Sequence, residues 1–217
     1  MLEIFNNAIS NDVKTTIAYA NADTLNKVYE DPSLKEIYNS FDHIHPDGIG
    51  VYLASKYLFG ANGLRERFTG SDFYHKLTEK SLKKKYTWFF FGHTENELVK
   101  IRSRYPGLII KGIQEGYDFN NEEVIEKINN SDPDIIIIGL SSPIQEKWMY
   151  LNRDKIKFRV MLSVGDGIKV FSGDKKRGPE FMRKSGLEWL VRVAADPANN
   201  FKRYFLGIPK FIKRIII

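Results

Sequence analysis

A chain of 217 residues, 42% of them hydrophobic, can bury one good-sized core and is short for two full domains. It has no cysteine, which excludes a disulfide framework, a thiolate metal site and a cysteine nucleophile. The net charge of +6 is uneven: from Lys175 onward eleven basic residues face three acidic ones, a net +8, while the preceding 174 residues carry −2, so an anionic partner is expected at the C-terminal end.

The opening segment, MLEIFNNAISNDVKT, has acids and amides where a secretion leader needs a basic start and an apolar run. No apolar run approaches the ~20 residues that span a bilayer, so no transmembrane helix is expected and the reading is cytoplasmic. Strands are then expected at Thr15–Tyr19, Asp42–His45, Thr87–Phe91, Leu108–Ile113, Asp134–Leu140 and Arg159–Val164. Helices are expected between them at Ala22–Tyr29, Ser33–Asn39, Gly50–Leu58, Asp72–Lys84, Glu95–Arg104, Glu122–Asn130 and Ile144–Asn152. TWFFFG and DIIIIGL are apolar on both faces, as strands covered on both sides must be. This alternation predicts a Rossmann-like, doubly wound α/β domain with a mostly parallel sheet over residues 1–174. After Gly173 the alternation stops, and residues 175–217 read as a helical, basic, membrane-facing appendage. Its helices are expected at Gly178–Lys184, Gly186–Ala195 and Pro197–Phe205, followed by a basic and apolar tail, Leu206–Ile217.

Parallel strands deliver their C-terminal ends and the following helix N-termini to one rim, where ligands bind. In HPDGIG, Pro46 disfavours helix before it and Gly48 allows close backbone approach, which fixes Asp47 at a strand end. Asp47 is a candidate general base, and a helix N-cap is the competing reading of the same residue. RERFTGSDF puts Arg65 and Arg67 before a helix start, where a guanidinium suits a diphosphate; solvated arginines with Ser71 as cap are the alternative. GLSSPIQEKWM offers backbone amides, the Ser141 hydroxyl and Gln145 to a phosphate, sugar or base, without P-loop spacing. The four histidines lack metal-ligand spacing and no Asp-x-Asp follows a strand, so no metal and no cofactor are expected.

PDGIG, ERFTGSDF, RYPGLIIKG, DPDIIIIGL with PIQEKW, SVGDGIKVFSG, KRGPEFMRKSGLEWLVR and a closing RY, in that order, make the sequence from Thr15 to Tyr204 resemble the WecG/TagA/CpsF glycosyltransferases, family 26. The resemblance implies an inverting, metal-independent transfer from a UDP-sugar to a polyprenyl-diphosphate-linked saccharide at the inner membrane face, in cell-surface polysaccharide synthesis. By motif it implies Asp47 as base, Arg67 as a diphosphate contact, Gln145 and Asn21 as substrate partners, and Gly48 and Ser141 beside them. It also implies that the appended helices, with Arg192, Lys202 and Arg203, touch the membrane and close the site. Two departures fall at expected pocket positions: Tyr19 stands where the family has a small hydroxyl, and Asp166-Gly167-Ile168-Lys169 replaces a Gly-Gly or Gly-Ala then Phe-Asp pattern, making Asp166 a second candidate base. A donor hydrolase is the alternative within enzymes and a basic nucleic-acid-binding module the alternative outside them. The aliphatic tail favours lipid over nucleic acid and leaves a homo-oligomer contact open.

Overall fold

The molecule is described from a computed structural model that covers residues 1–175, 178–197 and 201–217, except for the side chains of residues 180, 183, 184, 188, 192, 195, 202 and 203. Every strand and helix expected from Thr15 to Val164 is present. In chain order they are β1 Thr15–Ala20, α2 Ala22–Glu30, α3 Pro32–Asn39, β2 His43–Pro46, α4 Ile49–Phe59, α5 Gly70–Lys84, β3 Thr87–Gly92, α6 Glu95–Arg104, β4 Ile109–Gln114, α7 Asn121–Ser131, β5 Ile135–Gly139, α8 Ile144–Asn152 and β6 Val160–Ser163. Up to Lys175, two α-helices were not anticipated. One is α1, Leu2–Ser10, which precedes β1; the other is α9, Ile168–Ser172, which follows β6.

The chain divides into two compact units. The first comprises Met1–Tyr19, Ser33–His45 and Gly70–Lys175 and holds the sheet, apart from the last residue of β1 and of β2. Strand order is β2-β1-β6-β5-β3-β4. The β1/β6, β6/β5, β5/β3 and β3/β4 pairs are parallel, with Ile17 opposite Leu162, Ile137 opposite Leu162 and Phe91 opposite Ile138. The sheet is therefore of the doubly wound, Rossmann-like class. Aspartates staple its entry points. Asp42 accepts from the Thr16 amide and hydroxyl, each at 2.7 Å, and Asp134 does the same for Thr87 at 2.8 and 2.9 Å. This is why β2 and β5 begin one residue after the aspartates that the sequence reading had placed inside them.

The core forms on both faces of the sheet, as the two-sided apolar runs require. Trp88 and Phe90 meet Phe171 of α9 edge-on at 5.8 and 5.4 Å, and Tyr74 of α5 stacks on Phe171 at 5.0 Å. On the opposite face Phe91 meets Phe119 and Trp148, both at 4.9 Å. Phe5 of α1 is fully buried against Phe73, and Asn6 accepts from the Tyr86 hydroxyl at 2.6 Å. Each such buried aromatic contributes about 1.5–3 kcal/mol over an exposed one.

The second unit gathers Ala20–Pro32, Pro46–Thr69 and Lys176–Ile217. Its C-terminal segment carries α10 Glu180–Ser185, α11 Glu188–Ala195, a π-helical turn at Lys202–Leu206 and α12 Gly207–Ile216. The expected helix Pro197–Phe205 falls in part on residues 198–200, outside the described residues. The expected tail is a helix, α12, with Pro209 in its first turn, where a missing N–H costs nothing. It is clasped to α2. Arg214 donates to the Asn26 carbonyl and Oδ1 at 3.0 and 2.9 Å and to Glu30 at 2.6 Å, Lys210 pairs with Glu30, and Asn26 Nδ2 donates to the Gly207 carbonyl at 2.8 Å. The Arg214 guanidinium also lies 4.3 Å from the Tyr29 ring centre. Lys210 and Arg214 hold the Glu30 carboxyl below the usual range. Among the described residues no helix is long and apolar enough to cross a membrane.

Candidate active site

In the second unit the chain leaves β1 and β2 through two short turns. Asn21 caps α2, its Oδ1 accepting from the Asp23 and Thr24 amides at 3.0 Å each, while the Thr24 hydroxyl accepts from the Asn21 amide at 2.7 Å. This reciprocal box fixes the Asn21 side chain at the strand exit. The Asp47 amide donates to the Ala20 carbonyl at 2.8 Å and the Gly48 amide to the Phe68 carbonyl at 3.1 Å, so the two turns and the ERF segment are tied together by backbone. Gly48 has φ +92°, with open space where a Cβ would stand; the requirement for glycine is conformational rather than steric. Gly48 itself stands at the N-cap of α4, one residue after Asp47.

These turns open on a cavity of about 450 Å³ lined entirely by residues of this unit. Asn21, Asp23, Asp47, Gly48, Arg67 and Thr69 make its polar lining. The remaining wall is apolar: Ile49, Leu53 and Tyr57 from α4, Ile208, Phe211, Ile212 and Ile215 from α12, and the rings of Trp189 and Tyr204, whose centres are 5.5 Å apart. Asp47 and Arg67 therefore share one cavity. Arg65 is exposed and does not line it, so the arginine pair suggested by spacing reduces to Arg67. Gly186, at φ +82°, also faces the cavity; a Cβ there would lie 3.0 Å from Arg67 Nη1 and from Ile49, so a larger residue would make the guanidinium shift.

The other expected site residues belong to the first unit, where the C-terminal ends of β1, β6 and β5 are adjacent. Gln145 is fully buried. Its Oε1 accepts from the Gly165 amide at 2.9 Å and its Nε2 donates to Glu146 at 2.7 Å. The Tyr19 amide donates to the Ser163 hydroxyl at 3.2 Å, and its own hydroxyl sits 3.1 Å from where a Cβ on Gly165 would be. Ser141 is exposed, and its carbonyl accepts from the Gln145 amide at 3.2 Å. Asp166 pairs with Lys175 at 2.7 Å and Lys169 at 3.4 Å, with His93 Nε2 at 3.8 Å. Burial would raise this carboxyl, and Lys175 followed by Lys169 and His93 outweigh it, leaving Asp166 below the usual carboxylate range. Tied to cations and lowered, Asp166 is a poor proton acceptor. The side chains of Arg192, Lys202 and Arg203, expected at the membrane or over the site, lie outside the described residues.

The sequence profile described as the Glycosyl transferase WecG/TagA/CpsF family matches residues 1–217. The chain belongs to this family. It is a glycosyltransferase of the hexosyltransferase class. It is similar to three enzymes named N-acetylglucosaminyldiphosphoundecaprenol N-acetyl-beta-D-mannosaminyltransferase. That of Bacillus spizizenii is 32% identical over 204 residues, 92% of this chain and 78% of the relative. That of Bacillus subtilis is 30% identical over 212 residues, 96% and 81%, and that of Staphylococcus aureus 30% over 185 residues, 83% and 72%.

In this WecG/TagA/CpsF chain, reasoning from sequence had not separately assigned Gly186, Trp189, Tyr204, Leu53 or Tyr57 to the cavity. Ile208, Phe211, Ile212 and Ile215 were noted as apolar, and their spacing of three and four already marked one face of a helix. What spacing lacked was the partner, because α4 and α12 are some 150 positions apart in the chain.

Proposed function

We propose that this chain moves a sugar from a UDP-N-acetylhexosamine onto a polyprenyl-diphosphate-linked N-acetylglucosamine, with inversion and without a metal, on a pathway to a cell-surface polymer. One observation carries the reading: a cavity lined mostly by apolar residues also holds the Asp47 carboxylate and the Arg67 guanidinium, which suits a ligand that is part sugar and diphosphate and part hydrocarbon. The names of the three relatives support the acceptor and make N-acetylmannosamine the first donor to test. In the proposed step Asp47 takes the proton of an acceptor hydroxyl as its oxygen bonds to C1 of the donor sugar. The bond from C1 to the diphosphate breaks, and the electron pair leaves with UDP. Arg67 and the N-terminal end of α4 offset the charge that develops there.

Screening UDP-sugars for UDP release with a synthetic polyprenyl-diphosphate N-acetylglucosamine tests the reading. Acceptor-dependent release, unchanged by EDTA, is the expected result. Release at the same rate without acceptor would make the chain a donor hydrolase, and loss of activity on chelation would return the diphosphate to a metal. We also place the protein on the cytoplasmic face of an anionic membrane, supported by the exposed Phe205, Leu206, Ile212 and Ile216 beside Lys213. Flotation with anionic vesicles should retain it. Deleting Leu206–Ile217 should release it.

A further inference from the structure

Glu146 is fully buried on the first turn of α8, and the transfer chemistry above makes no use of it. Its Oε1 accepts from Gln145 Nε2 at 2.7 Å and lies 3.1 Å from the Tyr38 hydroxyl, which is also 3.1 Å from the Tyr19 carbonyl. Two constraints fix how this network is wired. The Gly165 amide can only donate, so Gln145 must turn its oxygen to Gly165 and its nitrogen to Glu146. The Tyr38 hydroxyl carries one hydrogen and has two acceptors. An ionised Glu146 would take that hydrogen and leave the Tyr19 carbonyl without it. A neutral Glu146 donates to Tyr38, and Tyr38 then donates to Tyr19, so both bonds form.

Among the described residues no lysine, arginine or histidine figures in the surroundings of Glu146; the side chains that bear on it are Gln145, Ser142 and Tyr38. A lone buried carboxylate without a counter-cation is costly, so the neutral form also agrees with the burial. Burial pushes this carboxyl above its usual range, against the hydrogen bonds of Gln145, Ser142 and Tyr38. The group thus reaches the ends of two neighbouring strands at once, β1 through Tyr38 and Tyr19, and β6 through Gln145 and Gly165, the residue before Asp166.

We propose that Glu146 is a positioning residue that works as a neutral carboxylic acid, holding the Tyr19 strand end and the Gly165–Gly167 turn in register at the rim of the sheet. Its effect on turnover rests on the transferase reading; its effect on the turn does not. The test compares E146Q with E146A. In E146Q the amide oxygen can still accept from Gln145 but cannot donate to Tyr38 from the same position, so only the Gly165 arm is kept. E146A should lower kcat roughly tenfold or more with a smaller change in KM, E146Q should lower it less, and the Gly165 amide should exchange faster with solvent in E146A alone. At neutral pH the infrared spectrum of the wild type should contain a protonated-carboxyl band that E146Q lacks. Absence of that band would mean an ionised group and overturn the proposal; so would E146A with unchanged kcat and unchanged Gly165 exchange. Should E146A not fold, the infrared band and the Gly165 exchange of E146Q decide. If the wild type transfers no sugar at all, the function proposed above fails, while the exchange and infrared results still judge Glu146.

Discussion

Asp47 is held by its own amide on the Ala20 carbonyl and followed by a glycine at φ +92°, so its position at the strand end is set by the backbone. Replacing it with asparagine should leave the fold and UDP affinity intact and lower transfer roughly 10²–10⁴-fold, read from single-turnover rates beside calorimetric binding. Arg67→Ala should weaken UDP binding about tenfold or more, the loss of a charge-assisted bond. Gly186→Ala should mimic it in part, since the new methyl would stand 3.0 Å from Arg67 Nη1. Asp166 gives a pH prediction. Its folded value is depressed below the ordinary 3.8, so the stability it adds is present above 3.8 and lost as pH falls through the lower folded value. Melting temperature measured across that acid range should therefore fall less steeply in Asp166→Asn than in the wild type. At this scale the sequence placed Asn21, Asp47 and Arg67 correctly at turns. It left two readings of Asp47, a helix cap and a strand-end carboxylate facing a ligand, because a PDG turn fits both.

Among elements, the fate of the last helix is the clearest case. Composition identified Leu206–Ile217 as a basic and apolar segment suited to an anionic bilayer. Its Lys210 and Arg214 are engaged by Glu30 and Asn26 of α2, so charge counting overstated what this helix offers outward. Glu30→Ala should speed amide exchange in α12 and leave the sheet unchanged. The contrast between mutant and wild type should shrink at high salt, where such exposed pairs are screened. Helix α1 was missed for a different reason. Leu2, Phe5 and Ala8 recur at helical spacing, but Asn6, Asn7 and Asn11 are poor helix formers, and only burial of Phe5 against Phe73 settles the balance. The strands were legible almost to the residue, since runs such as FFF and IIII are compatible with few other placements in a chain this short.

For the whole molecule, a cut at residue 174 follows the change in sequence pattern, whereas the compact grouping draws Ala20–Pro32 and Pro46–Thr69 together with Lys176–Ile217. Pattern along the chain reports local periodicity and carries no trace of which distant face an apolar stripe will meet, so this grouping was not readable in advance. A chain ending at Lys175 should keep the near-ultraviolet signal of the Trp88, Phe90 and Phe171 core, yet bind a hydrophobic dye through the α4 surface that α12 and Trp189 no longer share. The greasy wall of the cavity also bears on how such an enzyme must be assayed. Alkyl chains of a solubilising detergent fit the same volume as hydrocarbon of a natural substrate, so apparent constants measured in micelles will drift with surfactant chain length, and bilayer nanodiscs are the medium in which they should stop drifting.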